Sequence, residues 1–312
     1  MADKRLMVLG NAGVSLTCTS EGNAVAGQIQ TIHTPYELEP IGSGLLTAIA
    51  AAKLGADVVL ATCLGKDLFG SYVLDILSKN KIDTRAVKLD QGYATSLTTS
   101  FKQPSGKITS LYYAGANSGI TAADAESAFL SYPDALLLHF DCNEYTVKTA
   151  VDYAAKQSIP VFCEPSPVLS PVSLGAIHSP TILTPDEEQS LALTGIHPDS
   201  VDSALAAADK LYRQTSAKYV IIRMGRRGTF IYDGKYHDMV SASDLHQIDS
   251  RGQADGFLAA LSLFYVTTQD ITRSVRFANT VSGIIGAEKG GYTALPDLET
   301  VTAIMKKNQI IL

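Results

Sequence analysis

The sequence contains few cysteines and no motif that would pair them. Four occur in 312 residues, and they show neither C-x-x-C pairing nor the spacing of metal ligands: Cys18, Cys63, Cys142 and Cys163. Scattered cysteines of this kind are typical of reduced thiols in a cytosolic protein. We therefore expect neither disulfides nor a cysteine-bound metal.

Long apolar runs and an excess of positive charge are also absent. No stretch approaches the ~20 apolar residues of a membrane-spanning helix, and the apolar run near the start is too short for a signal peptide. With a net charge of −6, the sequence offers no basic surface for nucleic acid or an anionic membrane. We expect a cytoplasmic protein that binds small molecules, and neither nucleic acid nor membrane.

The chain has enough hydrophobic residues to bury a large core. They make up 46% of the composition, which suits one large α/β domain with a small appendage. Strand-like Ala135–Phe140, amphipathic Glu144–Gln157 and strand-like Pro160–Cys163 follow one another, and this βαβ order predicts a parallel sheet. Leu6–Leu9 has the pattern of a buried first strand. Ligands of such sheets bind beyond the carboxyl ends of the strands, so a site is expected near residues 11–15.

Two polar, β-prone segments without helical periodicity interrupt this α/β pattern. Thr17–Pro40 is the first, and Ala94–Tyr113 is the second. The second alternates like a strand on either side of the turn Pro104–Lys107, which predicts a β-hairpin. Taken alone, it would be an ordinary surface hairpin.

The segment Ile248–Phe264 carries the most informative functional pattern. A polar turn with a glycine passes directly into an apolar helix, and Asp255 stands at the junction. Unpaired N–H groups at the start of a helix suit an anion, so a carboxylate there can act as a base beside a phosphate. The alternative is that Asp255 only caps the helix, which is the more common role for an Asp at such a position.

This segment resembles the signature D-T-x-G-A-G-D-x-F of the ribokinase-like (PfkB-type) carbohydrate kinases. Four residues match its spacing: Asp249, Gly252, Asp255 and Phe257. Three depart from it: Arg251, Gln253 and Ala254. The resemblance implies that Asp255 takes the proton from a sugar hydroxyl, beside an altered anion hole formed by Gly252, Gln253 and Ala254. It also implies that Asp249 helps to hold a loop for a monovalent cation such as K⁺, and it leaves the need for that cation open.

Other motifs resemble the family in the correct order along the chain. Ile41–Gly55 is similar to its first signature, although Leu46 replaces an Asn that contacts sugar, and Val58–Gly70 is close to V-G-x-D-x-F-G. Because Gly13 and Ser15 stand where the family has Asn or Asp, a carboxylate contact to the substrate is missing. The resemblance places six residues near the sugar: Asn11, Gly13, Ser15, Gly42, Ser43 and Asn117.

The resemblance also implies a nucleotide site. Tyr219–Gly228 resembles the loop that covers nucleotide phosphates in the family, and Arg226 and Arg227 could pair with phosphate there. Asp186 and Gln189 replace an N-x-x-E pair that holds Mg²⁺ through water; the alternative is an acidic residue that merely favours a helix N-terminus. Four residues are expected at the nucleotide: Arg223, Gly225, Gly228 and Asn279.

The motifs together imply a ribokinase-like α/β fold. We expect a single domain over residues 1–312, with a doubly wound, mostly parallel sheet of about eight strands and helices on both faces. A small β-sheet lid is expected from about residues 12–40 and 93–114, and the family often forms a homodimer through it. His139 and Asp141, at a strand end, are expected to have structural roles.

The leading functional hypothesis is transfer of a phosphoryl group from ATP, with Mg²⁺, to a hydroxyl of a sugar or sugar-like molecule. The alternative is a catalytically weakened protein of the same fold that binds a ligand or has a regulatory role, because fold alone does not determine function. The missing sugar contacts favour a less hydroxylated or partly apolar acceptor, such as a deoxy sugar, a nucleoside or another small alcohol.

Overall fold

The computed structural model describes residues 4–20, 27, 29, 31–103, 105, 107–165 and 173–310. Their strands, in chain order, are β1 Arg5–Leu9, β2 Gly13–Thr19, β3 Glu37–Ile41, β4 Asp57–Gly65, β5 Val87–Asp90, β6 Ser96–Lys102, β7 Ile108–Tyr113, β8 Ala135–His139, β9 Val161–Glu164, β10 Ile182–Leu183, β11 Tyr219–Arg223, β12 Thr229–Tyr232 and β13 His237–Val240. Their helices are α1 Ser43–Lys53, α2 Leu68–Lys79, α3 Ala122–Ala128, α4 Glu144–Lys156, α5 Glu187–Thr194, α6 Val201–Thr215, α7 Gln253–Thr268, α8 Ile271–Gly286 and α9 Leu298–Lys307.

The main sheet has nine strands in the order β13-β12-β11-β10-β9-β8-β1-β4-β5. All pairings from β11 to β5 are parallel, and β12 and β13 continue the sheet in antiparallel fashion. The predicted mostly parallel sheet is therefore confirmed. It has one strand more than expected, because β5 was not predicted. That strand has the sequence V-K-L-D, lies at the sheet edge against β4 and has no fully buried residue, so it lacks the apolar run that identifies an inner strand.

Helices cover both faces of the main sheet, as predicted. Alternate residues of β1 point to opposite faces, because side chains along a strand alternate. Leu6 and Val8 belong to the core that contains α1, α7 and α8, whereas Met7 and Leu9 belong to the core that contains α3, α4 and α6. Each face of the parallel sheet is thus sealed from water, which explains why its inner strands are continuous apolar runs.

Helix α7 is the central helix of one face. Every residue from Asp255 to Tyr265 is buried, so the helix is apolar on all sides, as a helix surrounded by other elements must be. It packs between α1 and α8 and contacts β8 and β9. Its N-terminus is therefore fixed against the sheet.

A separate four-stranded sheet has the order β3-β2-β6-β7. Strands β6 and β7 form the predicted antiparallel hairpin, whereas β2 pairs in parallel with β6. Pro104 and Gly106 of the predicted turn lie outside the described residues. Strand β2 begins at Gly13, within the lid segment predicted from about residue 12. A Cβ at Gly13 would lie 2.6 Å from the Ser96 carbonyl oxygen of β6. The close approach of these two strands therefore requires a glycine here.

Within the described ranges, no helix is both long enough and apolar enough to cross a membrane.

Candidate active site

Polar side chains gather at the carboxyl ends of the central strands. His139 ends β8, Glu164 ends β9 and Arg223 ends β11, while Asp141 lies just beyond β8. Because these strands are parallel, their carboxyl ends share one edge of the sheet. The first turn of α7 reaches the same edge: the ligand atoms of His139, Glu164 and Asp255 lie within 4.8 Å of one another.

The N-terminus of α7 has no side-chain cap. Gly252 occupies the N-cap position with a left-handed φ of +80°, and the first bond of the helix ladder runs from the Gly256 N–H to the Gly252 carbonyl at 2.9 Å. The backbone N–H groups of the three residues between Gly252 and Gly256 have no backbone acceptor inside the helix. That of Gln253 contacts the Ser250 carbonyl at a long 3.3 Å. This turn can therefore receive an anion.

Two of the three departures from the family signature, Gln253 and Ala254, do not disturb this backbone. Gln253 and Ala254 are not among the described residues with positive φ, and both belong to α7. The left-handed conformation that favours glycine falls on Gly252, where the glycine is present. The Gln253 side chain turns toward Ser282, whose carbonyl accepts from Nε2 at 3.1 Å, and toward Gln247. Ala254 therefore keeps its N–H in the same helical geometry that a glycine would give it.

Asp255 is a buried carboxylate in the first turn of α7, with 8% of its surface exposed. It is not the helix cap, since that position belongs to Gly252. Burial raises its pKa well above the usual value, the negative charges of Glu164 and Asp141 raise it further, and Arg223 lowers it. A buried acid with a raised pKa beside specific charged partners is typical of a catalytic base.

Glu164 and His139, which are buried, and the partly buried Arg223 form a polar row beside Asp255. Arg223 Nη2 donates to Glu164 Oε1 at 2.5 Å. His139 Nδ1 lies 3.5 Å from Glu164 Oε2, and His139 Nε2 is 2.8 Å from the Thr47 hydroxyl on α1. Glu164 was not predicted as a site residue. The available signal was that it ends a buried strand at the ligand-binding edge.

Asp141 supplies a carboxylate that the sequence analysis assigned to structure. Its side chain accepts a short hydrogen bond from the hydroxyl of Ser43, the first residue of α1. Its charge also acts on Asp255, so the two carboxylates share one environment. The structure therefore places a strong hydrogen-bond acceptor near Asp255, whereas no carboxylate was expected from Gly13 and Ser15.

The remaining residues predicted at the sugar lie around the point where the chain passes from β1 of the main sheet to β2 of the small sheet. Asn117 is buried, and its Oδ1 accepts from the Ala12 N–H at 3.2 Å. Gly42 has φ +116°, and a Cβ there would lie 2.5 Å from the Asn11 carbonyl oxygen. This packing holds the start of α1 against Asn11. Ser15, on β2, is half-buried.

A cavity of about 760 Å³ opens beside the N-terminus of α7. Its lining combines predicted nucleotide, metal and anion-hole residues from separate parts of the chain: Asp186, Arg223, Gly225, Gly228, Asp249, Gln253, Ala254 and Asn279. Asn279 also has protein partners, because its Oδ1 accepts from the Thr229 hydroxyl at 2.7 Å and its Nδ2 donates to the Ser241 carbonyl at 2.9 Å. Arg226 lines the same cavity, whereas Arg227 pairs with Glu187.

Asp186 and Gln189 form a capping box at the start of α5. Asp186 Oδ1 accepts from the Gln189 N–H at 2.8 Å, and Gln189 Oε1 accepts from the Asp186 N–H at 2.9 Å. The oxygen that Gln189 would offer to a metal is therefore engaged. Asp186 Oδ2 remains on the cavity side, 4.0 Å from Arg223. Carboxylate oxygens are the ligands that Mg²⁺ prefers, so the cavity lining fits this ion through Asp186.

Asp249 is bound by Arg251, the residue that departs from the family signature. Arg251 Nε and Nη2 contact Asp249 Oδ2 at 3.0 and 2.8 Å, and the Gly290 N–H donates to the same oxygen at 3.1 Å. Side-chain hydrogen bonds from Arg251, with the backbone N–H groups of Arg251 and Gly290, lower the Asp249 pKa from 3.8 to about 2 despite partial burial. Arg251 Nη1 also reaches Glu39 on β3 at 2.8 Å.

The family comparison decides what kind of protein has this site. Residues 3–298 match the pfkB family carbohydrate kinase model. The chain belongs to the pfkB family of carbohydrate kinases. The predicted carbohydrate-kinase activity is thereby confirmed at the level of the family, and the alternative of a non-catalytic protein is not favoured.

Curated relatives of this pfkB-family kinase cover almost the whole chain. It is 27% identical over 305 residues to a ribokinase of Bacillus subtilis (strain 168), which spans 97% of this chain and 99% of the relative. It is 24% identical over 307 residues to a deoxyribokinase of Salmonella typhi, with the same coverage of both chains.

Solved structures confirm the predicted ribokinase-like fold. Arabidopsis thaliana ribokinase complexed with ribose and ATP superimposes with a TM-score of 0.91 at 21% identity, and covers 98% of this chain and 99% of its own. A putative ribokinase II from E. coli in complex with ATP and Mg²⁺ gives a TM-score of 0.78 at 18% identity, with coverage of 97% and 99%.

Proposed function

We propose that this pfkB-family kinase transfers the γ-phosphoryl group of ATP to a hydroxyl of a sugar or sugar-like molecule. One observation carries the proposal: Asp255 is a buried carboxylate that does not cap the helix, in the first turn of α7, where Gln253 and Ala254 line the cavity and the Ala254 N–H has no acceptor inside the helix. The ribokinase and deoxyribokinase relatives support this substrate class, and the fold shared with the ribose and ATP complex supports the nucleotide.

In the proposed reaction, the oxygen of the acceptor hydroxyl attacks the γ-phosphorus, and Asp255 accepts the proton of that hydroxyl. The bond from that phosphorus to the bridging oxygen of ADP breaks, and the proton later leaves Asp255 to solvent. Phosphoryl transfer needs mainly positioning and charge neutralisation. The N–H groups at the start of α7 and the Arg223 guanidinium supply this charge from the protein.

Mg²⁺ would be held by Asp186 Oδ2, with Glu188 as a second carboxylate of the cavity lining. When bound, the ion supplies neutralisation of the phosphate charge. Gln189 keeps its role in the capping box, and the metal role of Asp186 stays a prediction.

Arg251 neutralises the charge of Asp249, and so replaces the monovalent cation, such as K⁺, that the resemblance implied. Its guanidinium already pairs with Asp249, the residue expected to hold the cation loop. A tethered positive charge does not depend on the salt in solution. Phosphoryl transfer by this enzyme should therefore not require added K⁺.

The acceptor is a sugar with fewer hydroxyls than a free pentose, or another small alcohol. Leu46 adds a buried apolar side chain to α1, and Gly13 and Ser15 offer no carboxylate, so Asp141 is the strongest acceptor for a substrate hydroxyl. A site that uses a few strong hydrogen bonds rejects analogues that lack the matching hydroxyl.

A panel of acceptors tests the proposed reaction. ADP production would be measured with ribose, 2-deoxyribose, nucleosides and small alcohols, each with Mg²⁺ and ATP. We expect 2-deoxyribose or a nucleoside to be used more efficiently than ribose. Efficient use of ribose would contradict the acceptor argument, and no ADP with any acceptor would contradict the proposed function.

The enzyme forms a homodimer through β7, the edge strand of its small sheet, and works in the cytoplasm as a single-domain protein. Strand β7 is exposed along its length and carries no charge, with Ile108 58%, Leu111 66% and Tyr113 47% exposed. An exposed apolar strand at a sheet edge is typical of an interface.

A further inference from the structure

Three polar residues continue the apolar rows of strands β8, β9 and β11, with the short strand β10 between the last two. Leu137, Phe162 and Ile221 belong to the core that faces α1 and α7. Two residues further along the same strands stand His139, Glu164 and Arg223. Since side chains two apart share a face, these three also point toward α1 and α7. They form a row directly beneath the first turn of α7, which holds Asp255.

Glu164 is the centre of this row and is 4% exposed. One oxygen accepts from Arg223 at 2.5 Å, and the other lies 3.5 Å from His139 Nδ1, which has no hydrogen-bond partner among the described residues. Buried ion pairs contribute little to stability, because desolvation offsets their attraction. Stability alone therefore gives no reason for a carboxylate here.

The row acts on Asp255 through charge. Glu164 and Asp255 lie among ligand atoms within 4.8 Å of one another, in surroundings that exclude water. Two carboxylates at this separation resist being ionised together. After burial itself, the charge of Glu164 is the largest cause that raises the pKa of Asp255.

In the part of the chain that the structure describes, few other charged groups face Asp255. Asp141, beyond β8, adds to the effect of Glu164, and Arg223 on β11 opposes it. From α1, the polar side chains in this cluster are the hydroxyls of Ser43 and Thr47. The titratable residues of α8, which packs on the other side, are exposed arginines. His139 completes the set on β8.

We propose that Glu164 is a positioning residue for the reaction: held by Arg223 and facing His139, it keeps Asp255 a strong proton acceptor at the end of the nucleotide cavity. This proposal rests on the proposed role of Asp255 as base. Since Arg223 also lines the cavity, the pair joins the phosphate-binding side of the site to the base.

The pH dependence of the Glu164→Gln variant tests the proposal. Removal of the negative charge should shift the acidic limb of the pH profile of kcat/KM to lower pH, by about one unit or more. The plateau kcat should fall about 2- to 10-fold, because the base becomes weaker. Glu164→Asp keeps the charge and should keep the acidic limb near its wild-type position. A purely structural role would lower activity at every pH and leave the limb unmoved, which would overturn the proposal.

A carbon-13 NMR titration of the carboxyl groups of wild-type protein gives a second test that needs neither turnover nor a folded variant. Two coupled carboxyl groups release their protons in two macroscopic steps, so the Asp255 signal should titrate in two steps. A single-step curve for Asp255 would overturn the proposal. If the wild-type enzyme phosphorylates no acceptor but a two-step Asp255 curve appears, the proposed function fails and the coupling stands. If the wild-type enzyme is active and the Asp255 curve has a single step, the coupling fails and the proposed function stands.

Discussion

Replacement of Arg251 with methionine should make stability and cation dependence change together. In the folded protein the Asp249 pKa is about 2, against 3.8 for a free Asp. A shift of this size corresponds to about 2 kcal/mol of stabilisation by the ionised carboxylate. The Gly290 and Arg251 N–H groups would still bind Asp249 in the variant. We therefore expect Arg251→Met to lose about half of this, on the order of 1 kcal/mol at neutral pH.

The pH dependence of this loss identifies its cause. Because the folded pKa of Asp249 is depressed, its stabilisation is fully present above about pH 4 and is lost as the pH falls toward 2. Urea unfolding at constant ionic strength would be measured at pH 7, 4, 3 and 2 for wild type and Arg251→Met. The difference between the two should hold from pH 7 to about pH 4 and shrink as the pH falls toward 2. A difference that stays constant from pH 7 to pH 2 would refute the assignment to Asp249.

A surface arginine provides the matched control. Arg213 pairs with Asp209 one helical turn away on α6 and is largely exposed. Arg213→Met should lower the free energy of unfolding by no more than about 0.5 kcal/mol.

The activity of Arg251→Met would then be compared in K⁺ and in a salt of a bulky organic cation. Wild type should be indifferent to the exchange, and the variant should be more active in K⁺. Equal K⁺ activation of both proteins would contradict the proposed role of Arg251.

Two further predictions concern the metal and the interface. Asp186→Ala should lose about 1 kcal/mol of stability, because the helix cap is removed, and should also lose the Mg²⁺-dependent part of ATP binding. Asp186→Asn should keep the cap and lose only the Mg²⁺-dependent part of ATP binding. Calorimetry that shows unchanged Mg²⁺ dependence of ATP binding in Asp186→Asn would contradict the metal role. Leu111→Asp should convert the dimer to a monomer in light scattering, and Thr109→Asp at the same exposed strand should have a smaller effect; a wild-type monomer would contradict the interface.

The sequence predicted the elements that have a strong local pattern. Helix α7 is a long apolar run after a glycine turn, and the inner strands are short apolar runs, so both can be identified without the fold. Strand β5 could not, because its four residues alternate at an edge and depend on β4 for their pairing. Gly252 and Asp255 were identified because a motif encodes their spacing.

Contacts between residues far apart in the sequence were not predicted. Arg223 was predicted at the nucleotide, but its partner Glu164 is 59 residues away, and Arg251 and Glu39 are 212 apart, so no local pattern relates them. Asp141 was assigned to structure because its position beside Asp255 depends on the packing of α7 against β8. What the sequence did contain was the place of these residues at strand ends, where parallel strands bring side chains together.

Turnover of Asp255→Asn tests the central claim, that Asp255 is the base of a phosphoryl transfer. Burial makes the ionised carboxylate of Asp255 costly in the folded protein. Asp255 therefore lowers the stability of the fold as the pH rises above the pKa that Asp255 has in the unfolded chain. A neutral amide in its place should leave the protein at least as stable at neutral pH. ADP production with the best acceptor would be compared with ATP binding by calorimetry. We expect turnover to fall roughly 10²-fold or more with ATP affinity nearly unchanged. Wild-type turnover in this variant would contradict the account.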